Sequence, residues 1–141
     1  MTTRPATAAA ACPVPRIMNR ITLKTAAAAL CLAAVPVLAQ EADAVVEMSG
    51  DLAFQPANLT IEAGERVEWR NVSDLPHTVT ADVQKAADAS HVALPEGAES
   101  FDSGFIQAGG SYSRTFDVPG VYRYFCIPHE GAGMVATLTV E

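Results

Sequence analysis

Near the end of the chain, Tyr124-Phe125-Cys126-Ile127-Pro128-His129-Glu130-Gly131-Ala132-Gly133-Met134 spaces a Cys, a His and a Met as C-x2-H-x4-M. A thiolate, an imidazole and a thioether come from one short segment broken by a Pro and two Gly, which reads as a loop joining two strands. A fold that uses this loop must gather its three side chains at one point and bring a fourth donor to them. The donor set is soft. Thiolate and thioether favour Cu(I) and imidazole serves both copper oxidation states, which places copper ahead of zinc or magnesium. The natural second imidazole is His77, in Leu75-Pro76-His77-Thr78-Val79.

How exposed that lone thiol is to pairing depends on the amino terminus. Met1 to Ala39 contains no acid, and its charges are Arg4, Arg16, Arg20 and Lys24. An apolar run from Thr25 to Leu38 follows and ends in Val37-Leu38-Ala39. Basic residues, a short apolar run and a small-residue exit describe a secretory signal region over 1–39, and the run is too short for a membrane-spanning helix. Met18 is the alternative start, because the charged region lies closer to Met18-Asn19-Arg20 than to Met1. Leu30 before Cys31 disfavours lipoprotein processing, and no paired arginines precede the apolar run. Cleavage after Ala39 leaves five Lys and Arg against sixteen acids, a net charge near minus eleven. Such a domain avoids nucleic acid, has no stable membrane insertion and is steered towards basic partners. The expected location is periplasmic or otherwise exported. Cys12 and Cys31 leave with the signal, so Cys126 has no partner for an internal disulfide in an oxidising compartment, and a bound metal would protect it.

Residues 40–141 are enough for one core. Short alternating runs separated by turn residues predict strands at Ala44–Met48, Asn58–Ile61, Val67–Arg70, Thr78–Thr80, Ser111–Asp117, Val121–Phe125 and Val135–Val140. Ser49-Gly50-Asp51, Ala63-Gly64-Glu65 and Val118-Pro119-Gly120 supply turns. Trp69 belongs in the core. Residues 82–97, rich in Ala, Asp, Pro and Gly, read as a long connection with a helical turn around Gln84 to Ala89. Seven or eight short strands at regular spacing argue for an all-β sandwich. In it Cys126 closes one strand, Met134 opens the next, His129 lies between, and His77 starts another beside the rigid Pro76. If those strands are neighbours, two imidazoles and a thiolate form a trigonal set with the thioether as a weak axial ligand.

Cys126-x-Pro128-His129-x-Gly131-Ala132-Gly133-Met134-Val135, with Pro76-His77 upstream and Leu52-Ala53-Phe54-Gln55-Pro56 and Ala63-Gly64-Glu65 earlier, resembles the cupredoxins, and among them plastocyanin and its bacterial and archaeal relatives. The resemblance runs in order from Leu52 to Glu141. It implies a Greek-key sandwich of about eight strands, one copper per chain held by His77, Cys126, His129 and Met134, and a monomeric one-electron carrier. The expected partners are a donor and an acceptor of cytochrome or other redox type. It also implies a docking ring of apolar residues around the loop His, here Leu52, Leu75, Pro76, Pro128, Gly131 and Ala132. Backbone amides near Thr78 are expected to donate towards the sulfur. Phe125 stands where plant and algal plastocyanins carry a Tyr, and the acids (Asp82, Asp88, Glu96, Glu99, Asp102) are dispersed rather than gathered into a patch.

Other readings are weaker. A zinc site wants four closed ligands, and 40–141 has no second Cys. A Cys–His nucleophilic pair gives Met134 no role, and no oxyanion motif is evident, so the protein is expected not to be an enzyme. An oxidase or nitrite reductase needs more ligands and a second domain, and a binuclear copper domain needs two Cys in the loop. Copper delivery without electron shuttling is the principal alternative, although no Met-rich or His-rich tail favours it. His91 reads as a solvated loop residue, and Met48, Tyr112, Tyr122 and Tyr124 read as packing.

Overall fold

The computed structural model describes residues 41–141; the expected signal region, with Cys12 and Cys31, lies outside the described residues. Among the described residues, nine strands form two mixed sheets. The first contains β1 (Ala44–Met48), β2 (Phe54–Gln55), β4 (Arg66–Asn71) and β7 (Ser111–Thr115), in the order β2-β1-β4-β7. The second contains β3 (Asn58–Ile61), β5 (Thr80–Ala81), β6 (Phe101–Asp102), β8 (Gly120–Phe125) and β9 (Val135–Val140), in the order β3-β9-β8-β5-β6. β1 runs parallel to β4 and β3 parallel to β9, while the remaining pairs are antiparallel. This is the Greek-key sandwich expected from the sequence.

Alternation decides which face each strand buries. In β9, Ala136, Leu138 and Val140 are buried and Val135, Thr137 and Thr139 are half-buried, the period of two that a pleated strand imposes. In β4, Val67 and Trp69 point inward and the polar Asn71 continues the same phase. Trp69 is fully buried, and its Nε1 donates to Tyr124 Oη at 3.2 Å. Tyr124 in turn packs edge-on against Phe54 and Trp69, with ring centroids 4.9 and 5.6 Å apart. Such edge-to-face pairs add about 0.5–1.5 kcal/mol each to the burial of their area. Met48, Tyr122 and Tyr124 belong to the core cluster and Tyr112 packs against it, as expected.

Three differences from the sequence expectations have local causes. β2 and β6 are two residues each, too short to show alternation, and their pairing comes from β1 and β5. The strand expected at Thr78–Thr80 is Thr80–Ala81, because His77 instead makes an isolated bridge to Ile106, with N···O distances of 3.1 and 2.8 Å. The turn of helix in the long connection is a 3-10 turn at Ala89–His91, starting where the Asp88 side chain accepts from Ser90 N at 2.8 Å, a local cap of the kind Asp favours. That connection packs closely on β8: a Cβ at Gly120, whose φ is 137°, would meet Pro95 Cβ at 2.5 Å, so only glycine fits there.

Candidate metal centre

β8 ends at Phe125, and Cys126 leads into a 3-10 turn, Ile127–Ala132, closed by Gly133 at φ 85°. Pro128 suits the first turn because it needs no donor there, and Gly133 supplies the left-handed residue that ends it. Met134 then begins the return, its carbonyl accepting from Cys126 N at 3.0 Å and its N–H donating to His129 O at 3.3 Å. Cys126 and Met134 are buried, and His129 is half-buried at the rim.

The sequence-predicted ligands His77, Cys126 and His129 come together. Their Nδ1, Sγ and Nδ1 atoms all lie within 4.8 Å of one another. Cys126 Sγ is 3.6 Å from His77 Nδ1 and 3.4 Å from His129 Nδ1, and the two nitrogens are 3.2 Å apart. A triangle with these sides has its centre about 2.0 Å from each corner, close to the metal–imidazole length of about 2.0–2.1 Å and somewhat below a metal–thiolate length of about 2.3 Å. The donors therefore fit one first-row metal ion, and the mixture of thiolate and imidazole selects copper. Met134 is buried at the end of the same loop.

Second contacts set the chemistry of these donors. Thr78 N donates to Cys126 Sγ at 3.3 Å, as expected, and Thr78 Oγ1 accepts from Ile127 N at 2.8 Å. Burial pushes the Cys126 thiol up and the Thr78 amide pulls against it, so metal binding must displace a proton. Burial first, and then the charge of His129, hold His77 below the ordinary histidine value, which keeps its imidazole neutral as a ligand requires.

Two residues with no sequence prediction organise the His77 side. Asn71, 2% exposed, donates from Nδ2 to Leu75 O at 2.7 Å and Ile106 O at 3.0 Å, while its Oδ1 accepts from Ser73 N and Ser73 Oγ, both at 2.9 Å. Ser73 Oγ has one proton and two obligate acceptors beside it, Asn71 Oδ1 at 2.9 Å and Leu75 O at 3.2 Å, so towards His77 Nε2, 2.9 Å away, it is best used as the acceptor. That arrangement puts the ring proton on Nε2 and leaves Nδ1 bare, facing Cys126. A polar residue in the buried phase of β4 was the available signal.

One expectation is corrected. His91 is not a solvated loop residue: it is half-buried, with Nδ1 2.8 Å from Glu130 Oε1. Nothing in the composition of 82–97 announces a partner 39 residues away. Glu130 is itself buried, and although burial raises its pKa, the Ala87 and Asp88 amides and His91 hold it below the ordinary carboxylate value. Of the residues expected to ring the loop His, Leu75, Pro76, Pro128, Gly131 and Ala132 are exposed and Leu52 is half-buried. Phe105, 64% exposed, immediately precedes Ile106, the bridge partner of His77, and had no place in that expectation.

A model of copper binding proteins of the plastocyanin/azurin family matches residues 41–141. Plastocyanin of Scenedesmus fuscus is 41% identical over 93 residues, covering 66% of this chain and 91% of that protein. Chloroplastic plastocyanin of Pisum sativum is 37% identical over 135 residues, covering 90% of this chain and 77% of that one. Among solved structures, a mutant plastocyanin of fern superposes with a TM-score of 0.53 at 28% identity, over 69% of this chain and 99% of that chain. The chain belongs to the plastocyanin/azurin family of copper binding proteins, electron carriers rather than enzymes, and its cofactor is one copper ion.

Proposed function

We propose that this protein is an exported type I (blue) copper protein that carries single electrons between larger redox proteins, with His77, Cys126 and His129 as strong ligands and Met134 as the weak axial one. The observation that carries the reading is the closed triangle of two Nδ1 atoms and one Sγ, buried except at His129. Copper supplies a one-electron Cu(I)/Cu(II) couple. His77 and Cys126 are held by Ser73, Thr78 and the Ile106 bridge, so the donors keep one arrangement while charge changes, which keeps reorganisation small. His129 alone among the strong ligands reaches the surface, and its ring is where a partner approaches the centre. A cavity of about 250 Å3, lined by residues including Arg114, Asp117 and Tyr122, opens beside β8 at Tyr122, four residues and about 13 Å of strand before Cys126.

Docking around the rim by Leu52, Leu75, Pro76, Pro128, Gly131 and Ala132 would let a partner approach closely and leave readily. The acidic balance supports partners with a basic face, and the chain is taken to act as a monomer. Export rests on the composition of 1–39. Among the described residues, no helix is long and apolar enough to cross a membrane.

Cu(II) loading of residues 40–141 is expected to give an intense blue thiolate-to-copper absorption with a small parallel hyperfine splitting. Cys126→Ser should abolish both. A colourless or ordinary tetragonal spectrum would sink the assignment. Fast electron self-exchange with slow copper transfer to a chelator separates the shuttle from a copper-delivery protein; the reverse pattern favours delivery.

A further inference from the structure

Glu130 follows His129 on the ligand loop, yet it is buried while Pro128 and Gly131 are exposed. Its Oε2 accepts from Ala87 N at 2.8 Å, its Oε1 accepts from Asp88 N at 3.0 Å, and Oε1 also lies 2.8 Å from His91 Nδ1. All three donors belong to the long connection between β5 and β6, 39 to 43 residues earlier in the chain. Two carboxylate oxygens thus hold three groups on one remote segment, and a buried acid is retained only where such donors offset its desolvation.

The support it grips is itself fastened. Arg123 Nη1 donates to Ser90 O at 3.0 Å, Ala93 and Arg123 exchange backbone bonds at 3.2 and 2.9 Å, and Lys85 pairs with Asp102. The loop past His129 is held internally by the bonds of its 3-10 turn, but Gly131 and Gly133 carry no side chain to pack it against the rest of the domain. Its outside fastenings on either side of His129 are Thr78 Oγ1, which takes Ile127 N, and the Glu130 carboxylate.

We propose that Glu130 is a positioning residue, which clamps the ligand loop to the 87–91 segment and thereby sets where the His129 imidazole stands. A segment that contributes no ligand then governs the geometry of the copper centre and its rate of electron exchange. The inference rests on the reading of His129 as a ligand given above.

The test compares Glu130→Ala, Glu130→Gln and His91→Ala with Arg123→Ala, which loosens Ser90 without touching Glu130. In the metal-free chain, Glu130→Ala should speed amide hydrogen exchange at Ala87 and Asp88 about tenfold or more, as expected for two amides that lose their acceptor. In the copper-loaded chain it should change the parallel hyperfine splitting and slow electron self-exchange about threefold or more. Glu130→Gln and His91→Ala should give smaller changes of the same kind, and they carry the test if Glu130→Ala does not fold. Arg123→Ala, which removes one of several fastenings of the support and leaves the Glu130 contacts in place, should alter the spectrum much less than Glu130→Ala. A Glu130 variant series as blue and as fast as a blue wild type overturns this proposal alone, as does an Arg123→Ala spectrum altered to the same degree as that of Glu130→Ala. A wild-type chain that binds copper without the blue band overturns the ligand reading and this proposal together, while unchanged exchange at Ala87 and Asp88 shows there is no clamp.

Discussion

At Ser73, one hydroxyl governs the state of a ligand four residues further along the chain. With Asn71 Oδ1 and Leu75 O both placed to take its proton, the oxygen is left to accept from His77 Nε2, and the His77 Nδ1 lone pair is free for metal. Ser73→Ala leaves the ring tautomer and tilt unspecified, and is expected to weaken copper binding about 10- to 100-fold, the usual cost of losing such an outer contact. Competition against a chelator of known affinity measures it; unaltered affinity would show that the His77 ring is held by packing alone. Asn71 shows why the contact was hard to foresee. Its place in the buried phase of β4 is visible in Val67, Trp69, Asn71, but its four bonds go to Ser73, Leu75 and Ile106, and the last of these is 35 residues distant.

Between elements, the short edge strand β6 reaches the centre through a relay of side chains. Asp102 pairs with Lys85, and its Oδ1 lies 2.9 Å from Thr80 Oγ1, which is 3.0 Å from Thr78 Oγ1, the group that holds Ile127 N. Burial pushes the Asp102 carboxyl up, but Lys85, the Gly104 amide and Thr80 more than reverse this, leaving it below its usual value. A carboxyl with a lowered folded-state pKa stabilises the fold above its unfolded value of about 3.9, and that contribution is lost as pH falls through the lower, folded value. Asp102→Asn should therefore be less stable than wild type at pH 7, with the gap closing below about pH 4. Denaturant midpoints across pH follow it, and a gap that persists undiminished to pH 2 would contradict the assignment. β6 itself could not be read from two residues of sequence, since pairing with β5 rather than internal alternation defines it.

For the whole domain, a rigid sandwich offers the metal a site already formed from the His77 bridge ahead of β5 and the loop between β8 and β9, so copper binds the folded state preferentially. Saturation at 1,000 times the dissociation constant adds about 4 kcal/mol, and at about 4–8 °C per kcal/mol for a domain of this size, removing copper with a chelator should lower the thermal midpoint by roughly 15–30 °C. Calorimetry of loaded and stripped protein checks this, and equal midpoints would mean that the site binds the unfolded chain as well. The acidic surface belongs to the same scale: five cationic against sixteen acidic side chains in the portion after residue 39 act on encounter with partners rather than on the fold.

Strand periodicity, turn residues and the C-x2-H-x4-M spacing are local patterns, since each depends on residues a few positions apart. They sufficed for the sandwich, for most of its strands and for the side chains that meet at the centre. The contacts that hold those side chains are of another kind. Glu130 meets Ala87, Asp88 and His91 across 39 to 43 positions, Thr78 meets Cys126 across 48, and Asn71 meets Ile106 across 35. No periodicity records such pairs, because they exist only once two sheets have closed and brought distant loops to one end. That closure makes His91 the partner of a buried carboxylate, although its neighbours in sequence give it every appearance of a solvated residue.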